Sequence, residues 1–298
     1  MKNIKTLTVY LGSSGHARPV FKDSAIALGK MIAEHEYNLV YGGMDAGLMG
    51  LLAQSCLKNG GNVTGIVPQK LKDSERILGG LNDTILVDDL WDRKKRMFQM
   101  ADAVLALPGG FGTLDESLEV LYWGSLKLHN KPLVLINIEN YWDPLITYLN
   151  ALKDFNPRYL IVVNTIEEIE PALAAWTPIT IPPDAKHHFP HFEDEITQET
   201  NQPIIIDQLS VKSAYYAACA LGLKQLGKHK RAIGFHNQNK QFAALINWIN
   251  AAAQETFITQ DCLRLFISGE DITELRENLN TQQYVEIDLH EKKWGAPV

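Results

Sequence analysis

The sequence is poor in cysteine, has no long apolar run and carries no excess of basic residues. Its 298 residues include three cysteines, at positions 56, 219 and 262, and no Cys-x-x-Cys pair, which predicts reduced thiols in a cytoplasmic protein. The most apolar later stretch, 214–223, is shorter than the ~18–20 residues that a membrane span needs, and the apolar run near the N-terminus is too short for a signal peptide. The net charge of −7 disfavours nucleic acid, whose phosphates require a basic face. We therefore expect a soluble, cytoplasmic protein that binds neither membranes nor nucleic acid.

Apolar runs of strand length alternate with amphipathic helical stretches over residues 1–176. This alternation predicts a Rossmann-like, doubly wound α/β domain, with a parallel sheet and helices on both faces. Ligands of such sheets bind at the carboxyl ends of the strands. Three predicted strand ends are rich in glycine, at residues 12–15, 42–50 and 109–112, so we expect the site at the edge where they meet.

The stretch Pro-Gly-Gly-Phe-Gly-Thr-Leu-Asp-Glu, residues 108–116, connects the fifth predicted strand to a helix. A glycine-rich turn at such a junction leaves backbone N–H groups and the positive end of the helix dipole directed at one point. This combination is typical of phosphate binding. Three glycines among residues 109–112 let the backbone approach the anion, Thr113 adds a hydroxyl group, and Glu116 lies one turn further on, within reach of a sugar.

Two other glycine-rich nucleotide motifs are excluded by their spacing. The chain has no Gly-x-x-x-x-Gly-Lys-Ser/Thr sequence, which argues against a P-loop NTPase. Gly-Gly-Phe-Gly-Thr differs from Gly-x-Gly-x-x-Gly and follows several earlier strands, so dinucleotide binding is not indicated. The alternative is a tight turn that needs glycine for packing alone, which explains the glycines but not Thr113 and Glu116 behind them.

Charged side chains flank the same edge of the predicted sheet. Arg93 lies near the start of a helix predicted over 90–100, where a cation is unfavourable for the helix dipole, so we expect it to serve a ligand. Glu116 and Glu119 share a helix face and could form an acid–base pair. Because Asp115 and Glu119 also fit complementarity with the helix dipole, we select Glu116 as the catalytic carboxylate.

The motifs resemble those of the LOG (Lonely guy) family over residues 1 to about 176. The matching segments are Gly12-Ser13-Ser14, Tyr41-Gly42-Gly43 with Gly47-Leu48-Met49-Gly50, Arg93-Lys94, and Pro108 to Glu116. Members of this family are cytokinin riboside 5′-monophosphate phosphoribohydrolases, often mislabelled lysine decarboxylases, which release free base and ribose 5-phosphate from a nucleoside monophosphate. The resemblance implies AMP or an N6-substituted AMP as substrate, no metal, no organic cofactor and a homodimer.

The resemblance also implies the residues of the site. It gives catalytic roles to Arg93 and Glu116, and phosphate binding to residues 109–113. The full set of implied substrate contacts is Gly12, Ser13, Ser14, Gly43, Glu75, Lys94, Met97, Gly109, Gly110, Phe111, Gly112 and Thr113.

Three departures from the family pattern concern the expected place of the base. Leu90-Trp91 stands where the family usually has Met-His, Met44 stands where a third glycine often follows, and Tyr122 replaces a threonine. The base preference is therefore open, whereas the phosphate motif matches.

Cleavage of a ribosyl C–N bond builds positive charge on the sugar ring. A carboxylate such as Glu116 can stabilise that charge and orient water, and Arg93 could hold either the phosphate or the departing base. A non-catalytic nucleotide or molybdenum-cofactor carrier on the same fold is the alternative, and a regulatory nucleotide sensor is a third hypothesis. The presence of both Arg93 and Glu116 favours the enzyme.

The composition changes after residue 176. Residues 177–202 are rich in proline and polar residues and contain His187-His188-Phe189-Pro190-His191. We interpret this segment as an exposed linker rather than a metal site, because no regular element orients the histidines. From residue 203 the pattern resumes, with strands predicted over 204–207, 231–236 and 263–268 and helices over 210–226, 241–253 and 272–279.

Residues 131–151 and 231–251 correspond at a constant offset of one hundred, for example Asn137 with Asn237. We interpret 203–298 as a second, smaller α/β domain that is a degenerate half-copy of the first; chance similarity is the alternative. The position equivalent to the phosphate loop, residues 109–113, holds residues 206–210 without glycine. We therefore expect no second nucleotide site. Packing on the first domain should bury four aromatic residues, Tyr215, Tyr216, Phe242 and Trp248.

Overall fold

The structure is a computed structural model that describes residues 4–71, 77–182 and 189–289. Seven parallel strands form its larger sheet: β1 (Thr6–Tyr10), β2 (Asn38–Tyr41), β3 (Asn62–Pro68), β4 (Asp83–Val87), β5 (Ala103–Ala106), β6 (Leu133–Ile136) and β7 (Leu160–Val163). Their order across the sheet is β4-β3-β2-β1-β5-β6-β7. The predicted doubly wound, Rossmann-like α/β fold is confirmed.

Six helices flank this sheet: α1 (Pro19–Glu34), α2 (Gly47–Lys58), α3 (Leu90–Met100), α4 (Phe111–Ser125), α5 (Asp143–Ala151) and α6 (Ile169–Ala175). Helix α1 buries Phe21, Ala25, Leu28 and Ile32, a spacing that places one apolar face on the sheet. Strands β5 and β6 are buried along their whole length, as parallel strands covered on both faces must be. None of the described helices is long and apolar enough to cross a membrane.

The strand order reverses between β1 and β5. From β1 the chain proceeds outward to β4, and it then returns to place β5 on the other side of β1. The loops that follow these two neighbouring strands diverge, and the crevice between them is where open α/β sheets bind ligands. The topology therefore places the loop after β1 beside the glycine-rich loop after β5.

The chain continues into a second, three-stranded parallel sheet of order β10-β9-β8, which consists of β8 (Ile204–Ile206), β9 (Ile233–His236) and β10 (Ile267–Gly269). The accompanying helices are α7 (Glu193–Ile196), α8 (Val211–Gln225), α9 (Ala243–Gln254) and α10 (Ile272–Thr281). The order β8-α8-β9-α9-β10-α10 repeats β5-α4-β6-α5-β7-α6, and α4 and α8, each of 15 residues, are offset by one hundred. A degenerate half-copy in a separate smaller domain remains our interpretation of this repetition.

The second sheet is attached to the first through paired helices, because α8 packs on α4 and α9 packs on α5. The Trp142 and Trp248 rings stack with centroids 5.8 Å apart and planes inclined by 4°. Tyr215, Phe242 and Trp248 are buried, as expected, whereas Tyr216 is half-buried. Each such buried aromatic side chain contributes about 1.5–3 kcal/mol of burial free energy.

The prediction that 177–202 is an exposed linker is wrong for its second half. Phe192 and Ile196 are buried, and the Trp123 Nε1–H donates to the Pro190 carbonyl at 2.9 Å. The prediction weighed the prolines and polar residues but not the aromatic side chains between them, which pack on the larger unit. His187 and His188 lie outside the described residues.

The prediction of a strand over 263–268 is also wrong in its extent. Residues Gln260–Arg264 form a 3₁₀ helix, and only Ile267–Gly269 form a strand. Cys262 and Leu265 are both buried, and a spacing of three places them on the same side of a 3₁₀ turn. The apolar run therefore serves packing through a helical turn before the strand begins.

Candidate active site

The crevice at the reversal point is formed by the loops after β1 and β5. The Gly12 N–H donates to the Pro108 carbonyl at 3.1 Å, which joins the two loops. A Cβ atom at Gly12 would lie 2.6 Å from the Phe257 ring, and one at Gly110 would lie 2.6 Å from the Phe257 carbonyl oxygen. Both positions therefore require glycine because the C-terminal part of the chain packs directly behind the phosphate loop.

The start of α4 has the features of an anion site. Its N-cap is Gly110, and no side chain caps the helix, so the N–H groups of its first turn have no intrahelical acceptor. Gly112 is exposed, with no atom within 4 Å of the place where a Cβ would stand. The Tyr141 hydroxyl donates to the Gly109 carbonyl, which fixes the loop from the side of the core. A phosphate group fits the open side.

A second glycine-rich loop supports the first. Gly47, the first residue of α2, has φ of +51°, and a Cβ there would lie 2.6 Å from the Ser14 carbonyl oxygen, so this position requires glycine. The Leu48 N–H donates to the Gly12 carbonyl at 3.1 Å. The start of α2 thus holds the loop after β1 in place.

Arg93 lies across the end of β2. A Cβ atom at Gly42 would be 2.9 Å from the Arg93 Cζ, so glycine at position 42 makes room for the guanidinium group. Within the described part of the chain, the buried Nε of Arg93 has no hydrogen-bond partner. An unpaired buried donor is costly, and a ligand acceptor in the cavity would satisfy it.

Glu116 is half-buried and lines the same cavity. Burial raises the pKa of its carboxyl from 4.5 to about 7, although Arg93 and Lys94 oppose the increase and Asp115 adds to it. Near neutral pH both protonation states are therefore accessible, which is what an acid–base group needs.

Lys94 is the centre of a buried charge cluster. Its Nζ lies 2.8 Å from Asp115, 3.3 Å from Glu119 and 3.4 Å from Glu193. Burial opposes the charge on Lys94, but the three carboxylates and Tyr215 outweigh it and raise the lysine pKa. The Tyr215 hydroxyl donates to Glu119, so Glu119 is held within the cluster. This arrangement agrees with the selection of Glu116, rather than Glu119, as the catalytic carboxylate.

A cavity of about 490 Å³ unites these features. Of the predicted site residues, those that line it are Gly12, Ser13, Arg93, Lys94, Met97, Gly110, Gly112, Thr113 and Glu116. Four others belong to the supporting loops and are not among its lining residues: Ser14, Gly43, Gly109 and Phe111. Glu75 lies outside the described residues.

Sequence reasoning missed several lining residues. Tyr10, Leu90 and Glu193 line the cavity, as do four residues of α8, namely Cys219, Gly222, Leu223 and Gln225, and the C-cap residue Leu226. The α8 residues form no motif, and only the internal repeat, which pairs α8 with α4, indicated that this helix would lie near the site. Among the residues described here, no group of three or more His, Cys, Asp or Glu could hold a metal ion.

The fold and the site define a Rossmann-like α/β protein with one cavity lined by a glycine-rich helix start and by a carboxyl group of raised pKa. Residues 49–171 match the family model described as "Possible lysine decarboxylase". Cytokinin riboside 5′-monophosphate phosphoribohydrolase LOG7 of Arabidopsis thaliana is 38% identical over 180 residues, which are 56% of this chain and 83% of that protein. LOG5 of the same organism is 35% identical over 205 residues, 67% of this chain and 88% of that protein. The chain belongs to the LOG family, as the motifs predicted.

A solved structure with a similar fold is the molybdenum cofactor binding protein from Rippkaea orientalis. It is 21% identical, with a TM-score of 0.47, and the match covers 59% of this chain and 98% of that one. At this TM-score the likeness supports no functional statement.

Proposed function

We propose that this protein hydrolyses the N-glycosidic bond of a nucleoside 5′-monophosphate, AMP or an N6-substituted AMP, to free base and ribose 5-phosphate. The observation that carries the proposal is one cavity lined by the glycine-rich start of α4, by Arg93 and by Glu116. A phosphate at the helix start would hold the sugar beside a carboxyl group with a pKa of about 7. Relatives named cytokinin riboside 5′-monophosphate phosphoribohydrolase, 35–38% identical to this chain, support the same reaction.

Phosphate binding falls to Gly110, Gly112 and Thr113, together with Gly12 and Ser13 of the neighbouring loop. This contact is remote from the bond that breaks, and its binding energy serves to fix the sugar in position. The supporting residues act by shaping these loops, and the contacts implied for Lys94, Met97 and Glu75 remain predictions.

The bond breaks between ribose C1′ and the base nitrogen. The Glu116 carboxylate stabilises the positive charge on the sugar ring and orients or deprotonates the attacking water. The water oxygen bonds to C1′, and the departing base takes up a proton. Arg93, with its unpaired Nε, holds either the phosphate or the departing base.

We further propose a cytoplasmic homodimer that binds no nucleic acid. The three cysteines are buried and belong to no disulfide among the described residues, which suits a reducing compartment, and the net charge is −7. Helix α8 already covers one face of α4, so a second copy would have to associate through another surface. Light scattering coupled to size-exclusion chromatography measures the oligomeric state directly.

The test of the reaction is incubation of the purified protein with AMP, N6-substituted AMP and adenosine, with release of base followed by chromatography. We expect base from the nucleotides and little from adenosine, and none with Glu116→Gln, which controls for contaminating hydrolases. Equal rates on nucleotide and nucleoside would remove the role of the phosphate loop. Nucleotide binding without base release would favour the carrier alternative.

A further inference from the structure

One wall of the cavity comes from the C-terminal part of the chain. Cys219, Gly222 and Leu223 of α8 line it together with the C-cap residue Leu226, and their spacing of three, four and seven residues places them on one side of the helix. Leu289 adds a further apolar side chain. A site whose loop, arginine and carboxylate all belong to the larger unit is therefore completed by the smaller one.

The chemistry of this wall suits the base rather than the phosphate or the ribose. Phosphate and sugar hydroxyls need hydrogen-bonding partners, which the start of α4, Arg93 and Glu116 supply within the same cavity. The α8 wall is mainly apolar, and Leu226 remains 43% exposed. A flat aromatic base would cover such side chains, as apolar pocket walls commonly do in ligand sites.

Helices α4 and α8 run antiparallel, so the end of α8 lies at the start of α4. The Tyr215 ring near the start of α8 lies 5.6 Å from Tyr122 near the end of α4, while a Cβ at Gly222 would lie 4.0 Å from the Phe111 Cβ. The helix pair therefore has two geometrically equivalent ends. At each of them, the start of one helix lies beside the end of the other.

As far as the described residues show, the end at the start of α4 is open to a ligand and the other end is not. At the start of α8, the Ser210 side chain accepts a hydrogen bond from the Ser213 N–H, and the Asp154 carboxylate accepts one from the Val211 N–H at 2.8 Å. The place of an anion is therefore taken by the protein itself. At the start of α4, by contrast, no side chain caps the helix.

Glycine at position 222 keeps the open end wide. It corresponds to Tyr122 at the offset of one hundred, and within the described ranges the nearest atom to a Cβ there would be the Phe111 Cβ at 4.0 Å. Building on the function proposed above, we propose that α8 forms the base-binding wall of the site and that Gly222 sets the size of the base that fits.

The test measures affinities for AMP and for ribose 5-phosphate by titration calorimetry in a Glu116→Gln background, which does not turn AMP over, with residue 222 either unchanged or substituted as Gly222→Ala or Gly222→Leu. Leucine and alanine favour helix over glycine, and circular dichroism checks the fold. Gly79→Leu is the matched control, because Gly79 also has free space around its Cβ position and does not line the cavity. We expect Gly222→Leu to weaken AMP binding about tenfold or more, Gly222→Ala to have a smaller effect, and Gly79→Leu in the same background to have no effect.

Ribose 5-phosphate distinguishes a base wall from general damage, because it lacks the base. Its affinity should change by less than about twofold in Gly222→Leu. Unchanged AMP affinity in that variant, or an equal loss of ribose 5-phosphate, would overturn the inference, as would Glu116→Gln protein with Gly222 intact that binds AMP no better than ribose 5-phosphate. AMP binding that depends on Gly222, together with no base release by the wild-type protein, would contradict the proposed reaction and leave the base wall standing.

Discussion

Replacement of Glu116 by glutamine should stabilise the fold at neutral and alkaline pH while it abolishes turnover. Burial raises the pKa of this carboxyl from 4.5 to about 7, so the folded protein disfavours the ionised form. Glutamine has the same shape as the protonated acid and carries no charge. The ionised Glu116 carboxylate that the reaction needs therefore destabilises the folded protein, which is an example of the trade-off between stability and activity.

The magnitude follows from the difference between the folded and unfolded pKa values. A difference of about 2.5 corresponds to about 3 kcal/mol when the group is ionised in both states. The raised pKa contributes a stabilisation of the folded state that is fully present below pH 4.5. This stabilisation is lost as the pH rises through about 7. Because Glu116 is only half-buried, solvent screens part of this penalty, and we expect wild type to lose about 1–3 kcal/mol relative to Glu116→Gln between about pH 5 and pH 8.

The measurement is urea unfolding of both proteins at the two pH values, with Glu277→Gln, an exposed position on α10, as the matched control. The Glu116→Gln advantage should grow with pH, and the control should show no such trend. In wild type, base release should decline as the pH falls below about 7, because the carboxylate that stabilises the sugar charge is protonated. The same pH dependence of the unfolding free energy in wild type and Glu116→Gln would refute the claim that the folded protein disfavours the ionised form of Glu116.

Three further predictions concern Arg93, Lys94 and Tyr215. Arg93→Ala should lower base release by about 10²–10³-fold with the circular dichroism spectrum retained, and unchanged turnover would remove Arg93 from the mechanism. Lys94→Met should cost about 3–5 kcal/mol in urea unfolding at neutral pH, since it leaves buried carboxylates unpaired, and the cost should shrink as acid protonates them; a cost independent of pH would contradict the charge cluster. Tyr215→Phe should cost about 1–3 kcal/mol by removing the hydrogen bond to Glu119, and a neutral result would show that this bond contributes nothing.

The parts of the fold that the sequence predicts well are those fixed by local pattern. Helix α3 begins and ends at the predicted residues, and β7 does as well, because a capped amphipathic stretch and an isolated apolar run each permit one element. The glycine-rich turn between β5 and α4 is also predictable, since glycines at a strand–helix junction have a direct backbone explanation.

The remaining features depend on contacts between residues far apart in the chain. Nothing local reveals that Phe257 packs behind Gly12 and Gly110, or that Glu193 reaches Lys94 at 3.4 Å. The raised pKa of Glu116 likewise comes from burial, which sequence spacing does not encode. Long-range packing decides these properties, and the linker prediction failed for the same reason.

The C-terminal part of the chain is built into the site rather than added beside it. Its segment around Phe257 supports the phosphate loop from behind, and the Thr256 hydroxyl donates to the His16 carbonyl at 2.9 Å, which joins the same segment to the loop after β1. Helix α8 contributes Cys219, Gly222, Leu223 and Gln225 to the lining of the cavity. At the start of α8, the Asp154 carboxylate accepts a hydrogen bond from the Val211 N–H, so this helix start needs no anion and no glycine-rich loop. The other end of the same helix presents apolar side chains to the cavity. Within the described residues, the site thus takes its glycine-rich loop from the larger unit and an apolar wall from the C-terminal part of the same chain.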